Sequence, residues 1–110
     1  MNKPVKPLKD IFNLKLNKIS VENFHNKNQF LITYQDNENT FLVFQSYETL
    51  IAIYDKTNKR LAINWRYWDY SKTTLKHLSL FIQEETNLDY DNKQAFLKKL
   101  LSLEEIELFE

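Results

Sequence analysis

The 110-residue chain has no glycine and no cysteine, two prolines and a single methionine. At the usual share of about 7%, a chain this long would hold roughly eight glycines. Their absence removes the P-loop, the GxGxxG dinucleotide fingerprint and the GxSxG nucleophile elbow, all of which need a residue without a Cβ. It also forces positive φ at tight turns onto other residues. Asn and Asp tolerate it best, and the candidate turns Asp36-Asn37-Glu38-Asn39 and Asp55-Lys56-Thr57-Asn58-Lys59 contain both. Without cysteine there is no disulfide, thiolate nucleophile or Cys-based zinc site, and two histidines cannot make a three-His centre. No metal or cofactor is expected. Apolar runs such as Leu50 to Tyr54 fall far short of the roughly 18 residues that cross a bilayer, so no membrane association is expected. The basic N-terminus, Met1-Asn2-Lys3-Pro4-Val5-Lys6-Pro7, lacks the apolar stretch of a secretory signal, which leads us to expect a cytoplasmic protein.

The residues that are present favour one folded domain. Hydrophobic residues make up 43% of the chain and aromatics 15%, enough for a core of its own at this length. Fifteen Lys and Arg balance fifteen Asp and Glu, which argues against a surface wholly given to nucleic acid and equally against an acidic DNA mimic. The charge is nevertheless segregated. Residues 1–30 hold six Lys against Asp10 and Glu22, net +4, and residues 84–110 hold eight acids against three Lys, net −5. Either the two ends lie together and neutralise each other, or they form a bipolar surface that orients a partner.

Along the chain, Pro4 and Pro7 among Lys3, Lys6 and Lys9 mark residues 1–10 as an extended arm, leaving 11–110 as a single α+β domain. Residues 11–24 fit a strand or a helical stripe, and we read them as strand. Alternation then places strands at Gln29 onward, Thr40–Gln45, Thr49–Tyr54 and Arg60–Tyr70, joined by short connections. The period changes at Ser71-Lys72-Thr73-Thr74, after which Leu75, Leu78, Phe81 and Ile82 follow at helical spacing to an end near Thr86-Asn87. Asp91 with Gln94 resembles a capping box for a second helix. The expected fold is an antiparallel meander of four to five strands followed by two helices packed on one face.

The stretch Leu61–Tyr70 is where a binding surface is expected. Strand alternation would put Leu61, Ile63, Trp65 and Tyr67 in the core and Arg66, Trp68 and Tyr70 on the opposite, more polar face, beside a helix start bearing Lys72 and Lys76. Arg66, Trp68, Tyr70, Lys72 and Lys76 are therefore the candidate binding residues, suited to an anion at the helix N-terminus and a base stacked on an aromatic ring. The structural alternative is that Trp68 and Tyr70 turn the corner beneath the helix, with Ser71 or Thr73 as an ordinary cap. No catalytic residues are assigned. His25 lies in a polar, solvated stretch, and His77 has no carboxylate or serine that the sequence places beside it. The pairs Glu84-Glu85 and Glu104-Glu105 are expected on solvated helix faces, since adjacent helical residues diverge.

Two segments resemble a recurring pattern in an uncharacterised family of small bacteriophage and prophage proteins. They are Phe44-Gln45-Ser46-Tyr47-Glu48-Thr49-Leu50-Ile51-Ala52 and Tyr67-Trp68-Asp69-Tyr70-Ser71-Lys72-Thr73-Thr74-Leu75-Lys76-His77 with Phe81-Ile82. The pattern runs F-x-S-Y-x-T-x-I-A, then W-D-Y-S-x-T-T-x-K-H-x-x-x-F-[LI], and covers about residues 29 to 83. That family has no assigned activity, so the resemblance implies a phage accessory protein acting in the host cell. The resulting expectation is a non-catalytic monomer or homodimer that binds a host or phage protein, in its concrete form an inhibitor of a host defence nuclease such as an anti-CRISPR. The alternative is a nucleic-acid-binding module built on the aromatic-basic residues at the strand-to-helix corner.

Overall fold

Alternating apolar residues set the first half of the computed structural model, which describes Leu8, residues 17–102 and residues 106–110. Five consecutive strands pair antiparallel: β1 (Asn17–Asn23), β2 (Gln29–Gln35), β3 (Thr40–Ser46), β4 (Thr49–Asp55) and β5 (Arg60–Asn64). Helices α1 (Lys72–Glu85) and α2 (Lys93–Ser102) follow, and β6 (Ile106–Phe109) then joins the sheet parallel to β5. The α+β expectation holds, with the strand count raised to six in the order β1-β2-β3-β4-β5-β6. The acidic C-terminal segment supplies the extra strand. Ile106 pairs with Leu61 and Leu108 with Ile63, so their side chains share the face that the helices cover.

That face is the main core. Leu31, Leu42, Phe44, Leu61 and Ile63 from the strands meet Leu78, Phe81 and Ile82 of α1 and Phe96 and Leu100 of α2. Phe44 and Phe81 are stacked with ring centroids 5.7 Å apart, which fixes α1 over the middle of the sheet. Because β3 and β4 are apolar on both sides, the opposite face is also buried. Ile32, Phe41, Val43, Ile53, Ala62 and Phe109 form a second cluster there with Leu8. Leu8 is 3% exposed, and its backbone N–H donates to Glu107 Oε2 at 2.5 Å. The remainder of the 1–10 arm, and the part of the expected first strand before Asn17, lie outside the described residues. The hydrogen bond places Leu8 beside Glu107 of β6.

Two local expectations are corrected. The cap of α2 is Asn92, not Asp91: Asn92 Oδ1 accepts from Ala95 N at 2.8 Å, and Phe96 N donates to Asn92 O at 3.0 Å. The strand expected over residues 60–70 ends at Asn64. The cause is the Asn64 side chain, whose Nδ2 donates to Leu50 O at 2.8 Å while Oδ1 accepts from Arg66 N at 3.1 Å and Tyr67 N at 3.2 Å. An Asn that bonds the backbone two and three residues on folds the chain into a turn.

Candidate functional site: an aromatic cleft at the end of β5

Once the chain turns at Asn64, strand alternation no longer assigns faces, and the two tryptophans exchange their expected places. Trp68 N donates to Asn64 O at 3.0 Å, which carries the indole under α2, where it is 2% exposed and 5.8 Å from the Phe96 ring. Trp65, expected in the core, is 37% exposed, while its N–H donates to Phe109 O at 2.8 Å and so ties it to β6. Trp68 therefore offers no open face on which a base could stack. Tyr70 is exposed and packs edge-on against Tyr67 at 5.8 Å.

Arg66 is exposed beside Trp65, with its guanidinium carbon 5.3 Å over the Tyr67 ring. Both Arg66 and Trp68 line an open cleft of about 650 Å³. Lys72 and Lys76 are exposed on α1 but do not line it, and neither does Tyr70. The structure thus brings together two of the five expected binding residues. It adds Trp65 and four that the sequence reading passed over: Asp69, Lys93 and Leu97 of α2, and Glu110. A second open pocket, of about 300 Å³, is lined by Trp65, Leu108, Phe109 and Glu110.

Among the described residues of the cleft lining, the two bases Arg66 and Lys93 are matched in number by the two acids Asp69 and Glu110. Lys93 Nζ lies 3.1 Å from Asp69 Oδ2 and 6.0 Å from the Trp68 ring, so its charge is met from two sides. Arg66 has no ion-pair partner among the described residues. Tyr90 packs on Phe96 at 5.2 Å, and burial pushes its phenol above the usual tyrosine range. Among the described residues, no group of three or more His, Asp or Glu is arranged to hold a metal. Among the described residues, the cleft lining carries no hydroxyl, imidazole or thiol. What it can do is hold an apolar group against Trp65 and an anionic group at Arg66.

The residues of the two-part pattern do folding work. Ser71 caps α1, its Oγ accepting from Thr74 N at 3.0 Å. Thr74 Oγ1 is 2.9 Å from Ser46 Oγ, a buried link between the β3–β4 turn and the helix start. His77 is 5% exposed, and its Nδ1 lies 2.8 Å from Thr73 O, where the N–H donates to the carbonyl. His25 is exposed, as expected, and its Nε2 lies 2.8 Å from Glu84 Oε2. A family model described as a family of unknown function (DUF8033) matches residues 13–99. No curated protein and no solved structure matches the chain.

Proposed function

This chain belongs to that family of unknown function, and on that premise we propose that it is a non-catalytic binding protein that docks a partner protein onto the Trp65 cleft. One observation carries the reading: a chain that buries Trp68 to 2% leaves Trp65 37% exposed at an open cleft, with Arg66 next to it. Trp and Arg are the residue types that most often anchor protein interfaces, because each buries a large surface and retains directional polar contacts. The Asn64 bonds and the β6 contact hold this pair without a ligand, which lowers the ordering cost of binding.

The finer form of the proposal rests on the likeness of the residue pattern to small phage proteins. In that form the chain is a phage accessory protein and the partner a host defence nuclease. The test is affinity capture from host lysate with the wild-type chain, Trp65→Ala, and Ile19→Ser on β1 at the opposite edge of the sheet. The expected result is one protein recovered near equal stoichiometry, lost on Trp65→Ala and kept on Ile19→Ser. No stoichiometric protein, or capture indifferent to Trp65, overturns the reading. Binding of a single-stranded oligonucleotide that falls steeply with salt would instead favour the nucleic-acid module.

A further inference from the structure

We propose that the cleft recognises, within its protein partner, an apolar side chain adjacent to a carboxylate, with Trp65 against the apolar group and Arg66 against the carboxylate. The inference rests on the docking reading above and names the chemistry of the segment that docks.

The argument starts from unequal pairing among the cleft's charges. Lys93 is matched by Asp69 at 3.1 Å, whereas the Arg66 guanidinium has no carboxylate partner among the described residues and meets only the Tyr67 ring at 5.3 Å. A guanidinium lying over an aromatic face keeps its N–H donors directed outward and can grip a carboxylate with two parallel bonds. Its backbone N–H donates to Asn64 Oδ1 at 3.1 Å, which fixes the point from which the side chain reaches the cleft. Trp65 next to it supplies an exposed apolar plane, and Leu97 and the Trp68 edge continue that surface into the cleft. A volume of about 650 Å³ admits a few side chains. The charge balance selects the class of partner. A nucleic-acid backbone would bring several phosphates to a site that also carries Asp69 and Glu110 and would gain little net attraction. A single carboxylate beside an apolar anchor meets Arg66, which has no ion pair among the described residues, and leaves the Lys93–Asp69 pair intact.

The experiment uses a displayed library of random dodecapeptides, selected on the full wild-type chain and depleted on Trp65→Ala, after melting curves confirm that the variants fold. Enriched peptides should place Asp or Glu next to a large apolar residue. Replacing that acid by its amide should weaken binding to wild type about tenfold or more, and binding to Arg66→Gln less than about twofold. A consensus without an acid, an acid whose loss costs Arg66→Gln equally, or no Trp65-dependent peptide overturns the inference. An oligonucleotide that displaces the consensus peptide at low salt but not at high salt also overturns it. Trp65-dependent capture of a partner from lysate in the face of any of these would leave the docking reading standing and remove only the carboxylate chemistry.

Discussion

His25, Tyr47 and Lys59 hold the left-handed backbone that glycine would hold in another chain, at φ 61°, 54° and 55°. Asn and Asp take a different share of the turn work, through side-chain oxygens. Asp36 Oδ1 accepts from Glu38 N and Asn39 N at 2.8 and 2.7 Å, and Asp55 Oδ1 from Asn58 N at 3.0 Å. Those two N–H groups hold the Asp36 carboxyl below the usual range. The turns were thus legible in the sequence, while the residue bearing each positive φ was not, because side-chain bonding and backbone tolerance select different positions. Lys59 is exposed, so Lys59→Gly should relieve its left-handed strain and stabilise the fold by about 0.5–1 kcal/mol, readable from a denaturant midpoint. Ser46 and Thr74 are both 0% exposed. Thr74→Val strands the Ser46 hydroxyl and should cost about 1–3 kcal/mol, with Ser46→Ala plus Thr74→Val costing less than the sum of the single changes. Glu85 makes a pH-dependent case. Partial burial, and after it the neighbouring Glu84, raise its carboxyl pKa, against the pull of Lys56. The folded state therefore holds this proton to higher pH than the unfolded chain does, and stability falls as pH rises through the two pKa values. Glu85→Gln should stabilise at pH 7 by less than about 1 kcal/mol and show no gain below about pH 4, where the carboxyl is protonated in both states.

At the scale of elements, periodicity located β2, β3, β4 and the start of β5, and placed α1 within a residue or so of its bounds, because in each the buried face repeats at the period of the element. It failed where one side chain overrode the period. Asn64 ended β5 early and sent Trp65 and Trp68 to the opposite environments from those alternation assigns. The Asn before a Trp-Arg-Tyr-Trp run was a visible turn signal, outweighed by the run of alternating aromatics around it. β6 escaped because its four residues pair with β5, a strand distant in sequence, and because its acids resemble a solvated end. Asp69 and Lys93 are joined only by the packing of α2, which no spacing rule supplies. The exchanged tryptophans give a paired test. Trp68→Ala opens a void under α2 and should cost about 3–5 kcal/mol, whereas Trp65→Ala, where about a third of the residue is already open to solvent and no closed cavity is left, should cost less, about 1–2 kcal/mol. Urea titrations of the two variants decide it, and near-equal losses would return the stretch to regular alternation.

The sheet is buried on both faces at its centre, and β1 and β6 are its edge strands. Every residue of β1 is exposed, including Ile19 at 55% and Val21 at 53%, and the register slips between Lys18 and Ser20. Such a slip breaks the even ladder that edge-to-edge pairing needs, which makes β1 less suited to sheet extension despite its exposure. At the opposite edge, β6 meets Leu8 from the first ten residues of the chain. Leu8 belongs to the second cluster together with Phe109 and Ala62, and Glu107 both accepts its backbone N–H and pairs with Arg60 at 3.4 Å. The Arg60–Glu107 pair is partly exposed and contributes little, since solvent screens it and ordering both side chains opposes it. Burial of Leu8 is the larger effect. Leu8→Ala should cost about 2–5 kcal/mol, because the strands around the void are held by their own ladders and cannot collapse into it. At roughly 4–8 °C per kcal/mol for a domain near this size, the melting temperature should fall by about 10 °C or more. Amide exchange should then report where the loss falls. Faster exchange at Phe109 and Trp65, with Phe44 and Ala52 unchanged until global unfolding, would mean that Leu8 fastens the β6 edge and with it the wall of the Trp65 cleft. Uniform acceleration through the sheet would instead make Leu8 part of a single cooperative core, and an unchanged melting temperature would mean that the contact adds nothing to the fold.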